Sequence, residues 1–230
     1  MNVRTEHIDA GNGATFSAYV SEPAQPNGHV IIVLQEIFGI TKAIRAVADR
    51  FAAEGYLAVA PDLFWRLEPG VELSHSKEDM QRAFGFLKQF SEDLGVEDIG
   101  RVAAQVRALP GFNGRVFVAG MCLGGKLAYL AAARLDVDAA VSFYGVGIEK
   151  NLAEAATLRC PLLMHFGGRD QYAPAAAVAQ IAEAVKADGR VAIHTYAEAD
   201  HGFYTRGEPD TIRDAHARTL AFLRNAEEGK

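Results

Sequence analysis

Cysteine is scarce in this chain: its 230 residues include two cysteines, Cys122 and Cys160. Two cysteines are too few for a disulfide-stabilised scaffold, and their scarcity favours a reducing compartment such as the cytoplasm. Such cross-links are also not needed, because a domain of this length buries roughly 70–75% of the surface that its unfolded chain exposes. We therefore expect a stably folded, cytoplasmic protein.

Long hydrophobic runs and an excess of positive charge are also missing. The longest apolar stretches, 30–34 and 127–135, are far shorter than the roughly 20 residues of a membrane-spanning helix. The N-terminal residues contain no apolar segment, so we expect no signal peptide. Lys and Arg total 23 against 29 Asp and Glu, a net charge of −6. Nucleic acids and anionic membranes attract proteins with an excess of cations, so we expect neither as a partner.

The start of the chain predicts a β-hairpin, because polar and apolar residues alternate over 5–8 and 15–20 around Gly11-Asn12-Gly13. Short apolar runs then alternate with stretches of helical periodicity. The further predicted strands are 29–34, 56–60, 115–119, 139–143, 161–166 and 191–196. The predicted helices are 42–54, 96–109, an Ala-rich helix that runs from a turn at 120–125 to about 135, 174–187 and 211–225.

A hairpin followed by this alternation, without a linker or an internal repeat, predicts a single α/β domain over 1–230. Its sheet would be mostly parallel, contain about eight strands and be covered by helices on both faces. The irregular, aromatic-rich segment 63–94 is expected to form helical excursions over the active-site side. In sheets of this kind the reactive groups collect at the carboxyl ends of the strands.

The most informative segment is Gly120-Met121-Cys122-Leu123-Gly124, between a predicted strand and a predicted helix. In that setting G-x-C-x-G is the nucleophile-elbow pattern, with cysteine in place of serine. The sharp turn strains its middle residue, and glycines avoid clashes two positions away. The sulfur would lie at a helix N-terminus, which favours the thiolate. We interpret Cys122 as a nucleophile; the alternative is a buried structural cysteine.

Two alternatives compete with a nucleophilic cysteine in this region. Gly120, Gly125 and Lys126 nearly match a phosphate-binding loop, but Leu127 stands where a Mg²⁺-binding Ser or Thr is required. A metal site is the second alternative, although the sequence contains neither an H-E-x-x-H nor a C-x-x-C motif. We expect neither a metal nor a cofactor.

A cysteine nucleophile needs a base, and the base needs an orienting group. His201 is expected in a loop just past a late strand; the alternative is a surface histidine. Asp170, in a loop that enters a helix, is the candidate orienting group, unless it only caps that helix. Asp200 is a rival that we disfavour, because adjacent residues rarely direct their side chains at each other. Cys122, Asp170 and His201 follow in the nucleophile–acid–histidine order of α/β-hydrolases.

The chain resembles the dienelactone hydrolase family of α/β-hydrolases over nearly its whole length. The resemblance implies the α/β-hydrolase fold and a Cys-His-Asp triad. It also implies that an enol lactone carrying a carboxylate is hydrolysed through an acyl-enzyme, in a reaction of the dienelactone-to-maleylacetate type. A monomer without a cofactor is implied as well. The segments that carry the resemblance are 35–39, 60–64, 120–125, the Asp170 loop and 201–203.

The same resemblance assigns roles to Glu36 and Ile37. The backbone N–H groups of Ile37 and Leu123 would stabilise the oxyanion. Glu36 would contact the thiol of Cys122 and help to deprotonate it when substrate binds. A buried carboxylate is costly unless it is paired, so the alternative for Glu36 is a structural, salt-bridged side chain.

A substrate carboxylate needs local cations, because the net charge of the chain repels anions. The resemblance places one close to Arg206 and a second near Met80, two residues from Arg82. The alternative is that Arg82 and Arg206 are ordinary surface residues. Aromatic residues at the neighbouring positions are more often core residues, but three are candidates to line the pocket: Phe38, Tyr144 and Trp65.

Two further functions compete with this hypothesis. The first is a broader carboxylesterase or lactonase that acts on activated esters. The second is a non-catalytic receptor of the same fold that binds a small lactone. The complete set of Cys122, His201 and Asp170 favours an enzyme, because a receptor does not need all three.

Overall fold

The computed structural model describes residues 2–11 and 13–228. Contacts group the chain into two units, 1–116 and 117–230. The described residues form eight strands, as predicted. Within 2–11 and 13–228, no helix has both the length and the hydrophobicity of a membrane-spanning segment.

The first unit begins with the predicted hairpin, β1 (Asn2–Gly11) paired antiparallel with β2 (Ala14–Glu22). Asn12, in the predicted turn, lies outside the described residues. β2 also pairs antiparallel with β4 (Leu57–Pro61), and β4 pairs parallel with β3 (Val30–Leu34). The order is therefore β1-β2-β4-β3. Every residue of β3 is buried, as expected from its continuous apolar run.

Helix α1 (Lys42–Ala53) connects β3 to β4, and the hydroxyl of Thr41 caps it by accepting the N–H of Ile44. The C-cap residue Glu54 is followed by Gly55 at φ +98°, the left-handed conformation that glycine allows at the end of a helix. The helix buries one apolar stripe: Ile44, Val47, Ala48, Phe51 and Ala52.

Two helices follow β4, namely α2 (Lys77–Gln89) and α3 (Glu92–Arg107). The prediction that the 63–94 segment contains helix is confirmed. The helix predicted over 96–109 begins earlier and ends at Arg107, so Leu109 is 44% exposed instead of contributing to the core. The end has a local cause, because a residue that precedes proline, here Leu109 before Pro110, disfavours helical backbone angles.

The second unit contains four parallel strands in the order β5-β6-β7-β8. These strands are β5 (Val116–Met121), β6 (Ala139–Phe143), β7 (Leu162–Gly167) and β8 (Val191–Tyr196). The helices are α4 (Leu123–Arg134), α5 (Ala175–Val185), α6 (Phe203–Arg206) and α7 (Pro209–Glu227). Because the strands are parallel, the loops that follow them emerge at one edge of the sheet.

Candidate active site

Cys122 occupies the sharp turn between β5 and α4. Its φ of +57° lies in the left-handed region, which is rare for a residue with a side chain. A Cβ on Gly120 would lie 1.9 Å from the carbonyl oxygen of Gly124, and one on Gly125 would lie 2.7 Å from that of Phe143. Both glycines are therefore required by close backbone approach, and for Gly120 this is what the elbow pattern predicts. The cysteine is 8% exposed.

Close packing also accounts for Gly120 and Gly125, two of the residues that nearly match a phosphate-binding loop. Lys126 is 6% exposed, and a Cβ on Gly147 would lie 3.6 Å from its ammonium nitrogen. The lysine side chain therefore lies against the loop that follows β6. Leu123 is the first residue of α4. Since a helix leaves its first N–H groups without intrahelical acceptors, the Leu123 N–H is suited to bind an anion.

Asp170 lies in the loop between β7 and α5 and uses both of its carboxylate oxygens. Oδ1 accepts the N–H groups of Tyr172, at 2.7 Å, and Ala173, at 3.0 Å, while Oδ2 accepts from Nδ1 of His201 at 2.8 Å. Burial alone would raise the pKa of this carboxyl, but the hydrogen bond and charge of His201 and the two backbone bonds lower it below its usual value. Asp170 is thus an ionised partner of His201. It does not cap α5, whose N-cap is Pro174.

Two glycines allow the loops after β7 and β8 to approach each other. The N–H of Gly168 donates to the carbonyl of Tyr196 at 2.8 Å. A Cβ on Gly167 would lie 2.5 Å from the carbonyl oxygen of Ala199, and one on Gly168 would lie 2.5 Å from that of Ala197. Any larger residue would separate the two loops. The glycines therefore make the approach of Asp170 to His201 possible.

His201 precedes α6, and its side chain is 12% exposed. Its imidazole contacts two tyrosine rings edge to face, those of Tyr144 and Tyr172, each with a centroid distance of 4.9 Å. Asp200, the rival orienting group, is exposed, and Nδ1 of His201 is bonded to Asp170 instead. The Asp170 carboxylate and the rings restrict the orientation of the imidazole.

Tyr144, a candidate pocket residue, is fully buried. Its φ is +40°, and its N–H donates to the carbonyl of His165 at 2.7 Å. Its ring packs on Phe203 as well as on His201, and its hydroxyl lies 3.4 Å from that of Thr205. These contacts hold Tyr144 in place behind the imidazole.

Arg206 is exposed at the end of α6. Its guanidinium lies over Gly202 and donates to the carbonyl of His201 at 3.3 Å and to the hydroxyl of Thr205 at 3.2 Å. It borders a cleft of about 530 Å³ that His201 also lines. The other residues of the cleft wall are Arg169, Glu198, Ala199, Asp200, Gly202, Phe203, Gly207, Glu208 and Thr211. Arg206 and His201 thus border the same cleft.

In the first unit, Glu36, Ile37 and Phe38 follow β3 as a buried loop, with exposures of 3%, 6% and 5%. Gly39 has a φ of +81°, and a Cβ there would lie 1.8 Å from the carbonyl oxygen of Val71. The loop is thus held against the 71–73 segment. The ring of Phe38 lies 4.3 Å from that of His75.

The structure places Trp65 and Arg82 in contacts with other residues of the first unit. The indole N–H of Trp65 donates to Asp98 at 2.9 Å, and its ring stacks on Phe16. Arg82 is exposed on α2 and forms an ion pair with Glu68 at 3.1 Å. Their suggested contact with substrate remains a prediction.

Sequence reasoning missed Tyr172, which contacts His201 directly. Its position two residues after Asp170, in the same loop, was the available signal. The second cysteine, Cys160, is buried, and burial raises its pKa to about 12. No three His, Cys, Asp or Glu side chains within 2–11 and 13–228 are grouped so that they could hold a metal ion.

Comparisons with known proteins identify the family. Residues 16–227 match the sequence profile of the dienelactone hydrolase family. The chain is 37% identical over 221 residues to the carboxymethylenebutenolidase of Pseudomonas putida, and the alignment covers 94% of each protein. It is 40% identical over 226 residues to a "Putative carboxymethylenebutenolidase" of Azospirillum brasilense, and that alignment covers 94% of this chain and 96% of the relative. A solved structure, the "Putative Dienelactone Hydrolase" of Klebsiella pneumoniae, superposes with a TM-score of 0.83 at 27% identity and covers 97% of this chain and 99% of that one. The chain therefore belongs to the dienelactone hydrolase family and is a hydrolase with the α/β-hydrolase fold.

Proposed function

We propose that the protein hydrolyses an enol lactone carrying a carboxylate, with Cys122, His201 and Asp170 as a catalytic triad. The observation that carries the proposal is the 2.8 Å hydrogen bond between Asp170 and Nδ1 of His201, in the unit that also holds Cys122 on a strained elbow. A relative that is 37% identical is named carboxymethylenebutenolidase, which supports a lactone substrate.

In the first step the Cys122 thiolate attacks the lactone carbonyl carbon. A C–S bond forms, and negative charge develops on the carbonyl oxygen, which the N–H groups of Leu123 and Ile37 stabilise. The ring C–O bond then breaks, giving a thioester and an enolate that takes up a proton and becomes a ketone. An enolate is a good leaving group and demands little acid catalysis, so a thiolate suits this substrate better than it suits an amide.

In the second step His201 takes a proton from water, whose oxygen attacks the thioester carbonyl. The C–S bond breaks, the carboxylic acid leaves as the product, and the thiolate of Cys122 is regenerated. Asp170 stabilises the imidazolium that forms and fixes the tautomer in which Nε2 can accept the proton. Glu36 assists deprotonation of the thiol when substrate binds, a role that rests on the family resemblance.

The substrate carboxylate is bound by Arg206. A guanidinium forms charge-assisted hydrogen bonds with carboxylates, and Arg206 lies in the cleft that His201 lines. Arg82 is the second candidate for this role, but Glu68 and Asp79 lie 3.1 and 4.0 Å from its guanidinium and compensate its charge. Because Arg206 lies in the cleft that His201 lines, we expect it to contribute more to anion binding than Arg82.

The test compares dienelactone isomers with neutral esters of similar reactivity. We expect faster hydrolysis of the anionic lactones. Arg206→Ala should raise their KM about tenfold, the loss of roughly one charge-assisted bond, and leave the neutral esters unaffected. Arg82→Ala is the matched control and should have a smaller effect. Equal rates on both substrate classes, unchanged by Arg206→Ala, would favour a broader carboxylesterase instead.

A monomeric state and a cytoplasmic location belong to the same proposal. Each proposed catalytic group is present in one chain, so no second copy is required. Sedimentation velocity at micromolar concentration should therefore show a species of one chain, and fractionation of cells should recover the protein in the cytoplasm.

A further inference from the structure

Tyr172 combines contact with the proposed base and exposure to solvent. Its ring lies 4.9 Å from the imidazole of His201 at an angle of 61°, and the residue is 52% exposed. Tyr144 contacts the same imidazole at the same distance but is fully buried. One ring therefore supports the imidazole from within the protein, and the other extends beside it into solvent.

The exposure of Tyr172 does not arise from a loosely held loop. Its N–H donates to Asp170 at 2.7 Å, and the next residue, Ala173, also donates to Asp170 and is 2% exposed. The backbone on both sides of the ring is thus held by the carboxylate that orients His201. The ring position is preorganised relative to the imidazole.

Tyr172 is also distinct within its unit. Six large hydrophobic side chains among the described residues are exposed. Tyr172 lies in the second unit, and the other five lie in the first. Keeping an aromatic ring in water forgoes the stabilisation that burial provides. An exposed ring that contacts the proposed base, on a backbone held by hydrogen bonds, is placed to contact whatever molecule that base acts on.

We propose that Tyr172 is a specificity-determining residue, whose ring binds the planar, unsaturated part of the substrate acyl group. This inference rests on the proposed function, because it assumes that the substrate reacts beside His201. Aromatic rings favour offset stacked or edge-to-face contact with other flat π-systems over contact with flexible saturated chains. The preference expected from one such contact is about threefold to tenfold in kcat/KM.

The experiment uses two esters with the same leaving group and the same number of acyl carbons, p-nitrophenyl crotonate and p-nitrophenyl butyrate. The crotonyl group is planar and conjugated, whereas the butyryl group is saturated. The measured quantity is the ratio of kcat/KM for crotonate to kcat/KM for butyrate. Intrinsic reactivity and leaving-group effects are the same for all variants, so a change in this ratio reports contact with the acyl group.

Tyr172→Leu should lower the ratio about threefold to tenfold, while Tyr172→Phe, which keeps the ring, should retain the wild-type ratio. Tyr172→Gln is a second ring-free variant in case the leucine variant folds poorly. If the ring-free variants lower both rates by the same factor, or change neither, the ring does not select the acyl group and the inference is wrong.

The proposed function is tested separately with the same esters. If Cys122→Ala abolishes hydrolysis of both esters while the ratio is insensitive to Tyr172, the triad proposal stands and only the inference on Tyr172 fails. If Cys122→Ala retains wild-type rates, the proposed nucleophile is wrong whatever Tyr172 does. A wild-type protein that hydrolyses neither ester would contradict the inference on Tyr172, and the proposed function would then be decided by its rates on the dienelactones.

Discussion

His165 and His201 lie in the same unit in opposite surroundings. His165 is within β7 and fully buried, where Nδ1 bonds the hydroxyl of Tyr196 at 3.0 Å and Nε2 bonds that of Thr219 at 3.2 Å. Burial lowers its pKa to about 3. His201 lies beyond the end of β8, partly exposed, with a carboxylate on Nδ1. The first histidine stays neutral, and the second is placed to accept a proton.

The two cysteines are both buried but differ in their positions along the strands. Cys160 precedes β7 at its amino end and is a buried thiol with a pKa raised to about 12. Cys122 follows β5 at its carboxyl end, next to the N-terminus of α4. Of the two, Cys122 lies beside a helix N-terminus, which favours a thiolate, so position along a parallel strand, rather than residue type, distinguishes the two cysteines.

The largest expected effect is found by replacing each of the two cysteines separately with alanine. Cys122→Ala should lower kcat/KM for p-nitrophenyl acetate by at least about 10³-fold, since it removes the proposed nucleophile. Cys160→Ala should leave the rate nearly unchanged. Iodoacetamide should label Cys122 in the native protein and spare Cys160. Wild-type turnover by Cys122→Ala would contradict the comparison.

The two aspartates beside His201 provide the second test. Asp170→Asn should lower kcat about 10³-fold, because the amide keeps the backbone contacts but does not hold the imidazole in the productive tautomer. Asp200→Asn, an exposed change one residue from His201, should have little effect on steady-state rates. Similar losses in both variants would show that the Asp170 hydrogen bond is not the orienting interaction.

A third test concerns Glu36, which follows the carboxyl end of β3. Glu36→Gln should slow acylation about 10²-fold, as expected when an acid–base group is lost, while the fold is retained. Glu72→Gln, at an exposed glutamate paired with Arg45, is the control. Single-turnover acylation followed by stopped flow provides the measurement, and an unaltered rate constant would remove Glu36 from the mechanism.

The smallest effect concerns stability and uses His165. Its pKa lies below the ordinary value of 6.5 in the folded protein, so the unfolded chain binds a proton that the native state excludes. Stability is therefore unaffected by this group above pH 6.5 and falls as the pH drops from 6.5 towards 3. At pH 5 the expected loss is about 2 kcal/mol.

Urea unfolding at pH 7.5 and pH 5 checks this expectation. The free energy of unfolding of His165→Gln should depend less on pH than that of the wild type, by about 2 kcal/mol over this range. His7→Gln, at an exposed histidine of β1, should keep the wild-type dependence. Identical pH dependence in all three proteins would show that His165 does not titrate as its burial implies.

Much of the fold could be predicted from the sequence because its signals are local. Alternation around the hairpin, continuous apolar runs such as β3, and the periodicity of α1 each reflect which side of a segment is buried. The signal from Gly120 is equally local, because the clash that a side chain there would cause involves Gly124, four residues away. The end of α3 was less well predicted, because the periodic pattern extends past the point where the backbone before Pro110 leaves the helix.

The candidate site could be predicted only in part from such local signals. The order of Cys122, Asp170 and His201 suggested a triad, but the bond between Asp170 and His201 depends on the β7–β8 pairing, in which Gly167 lies opposite Tyr196. Because of that register, the loops after β7 and β8 begin next to each other. Gly167 and Gly168 have no side chains that would keep the two loops apart.

The linear chain thus contained the reactive groups and the elements that present them, since both depend on interactions between near neighbours. Three-dimensional packing decided which groups meet, which of the tyrosines near His201 is buried, and which histidine is excluded from proton transfer. These outcomes depend on residues separated by tens of positions, whose proximity is created by the sheet and is not encoded in any one segment.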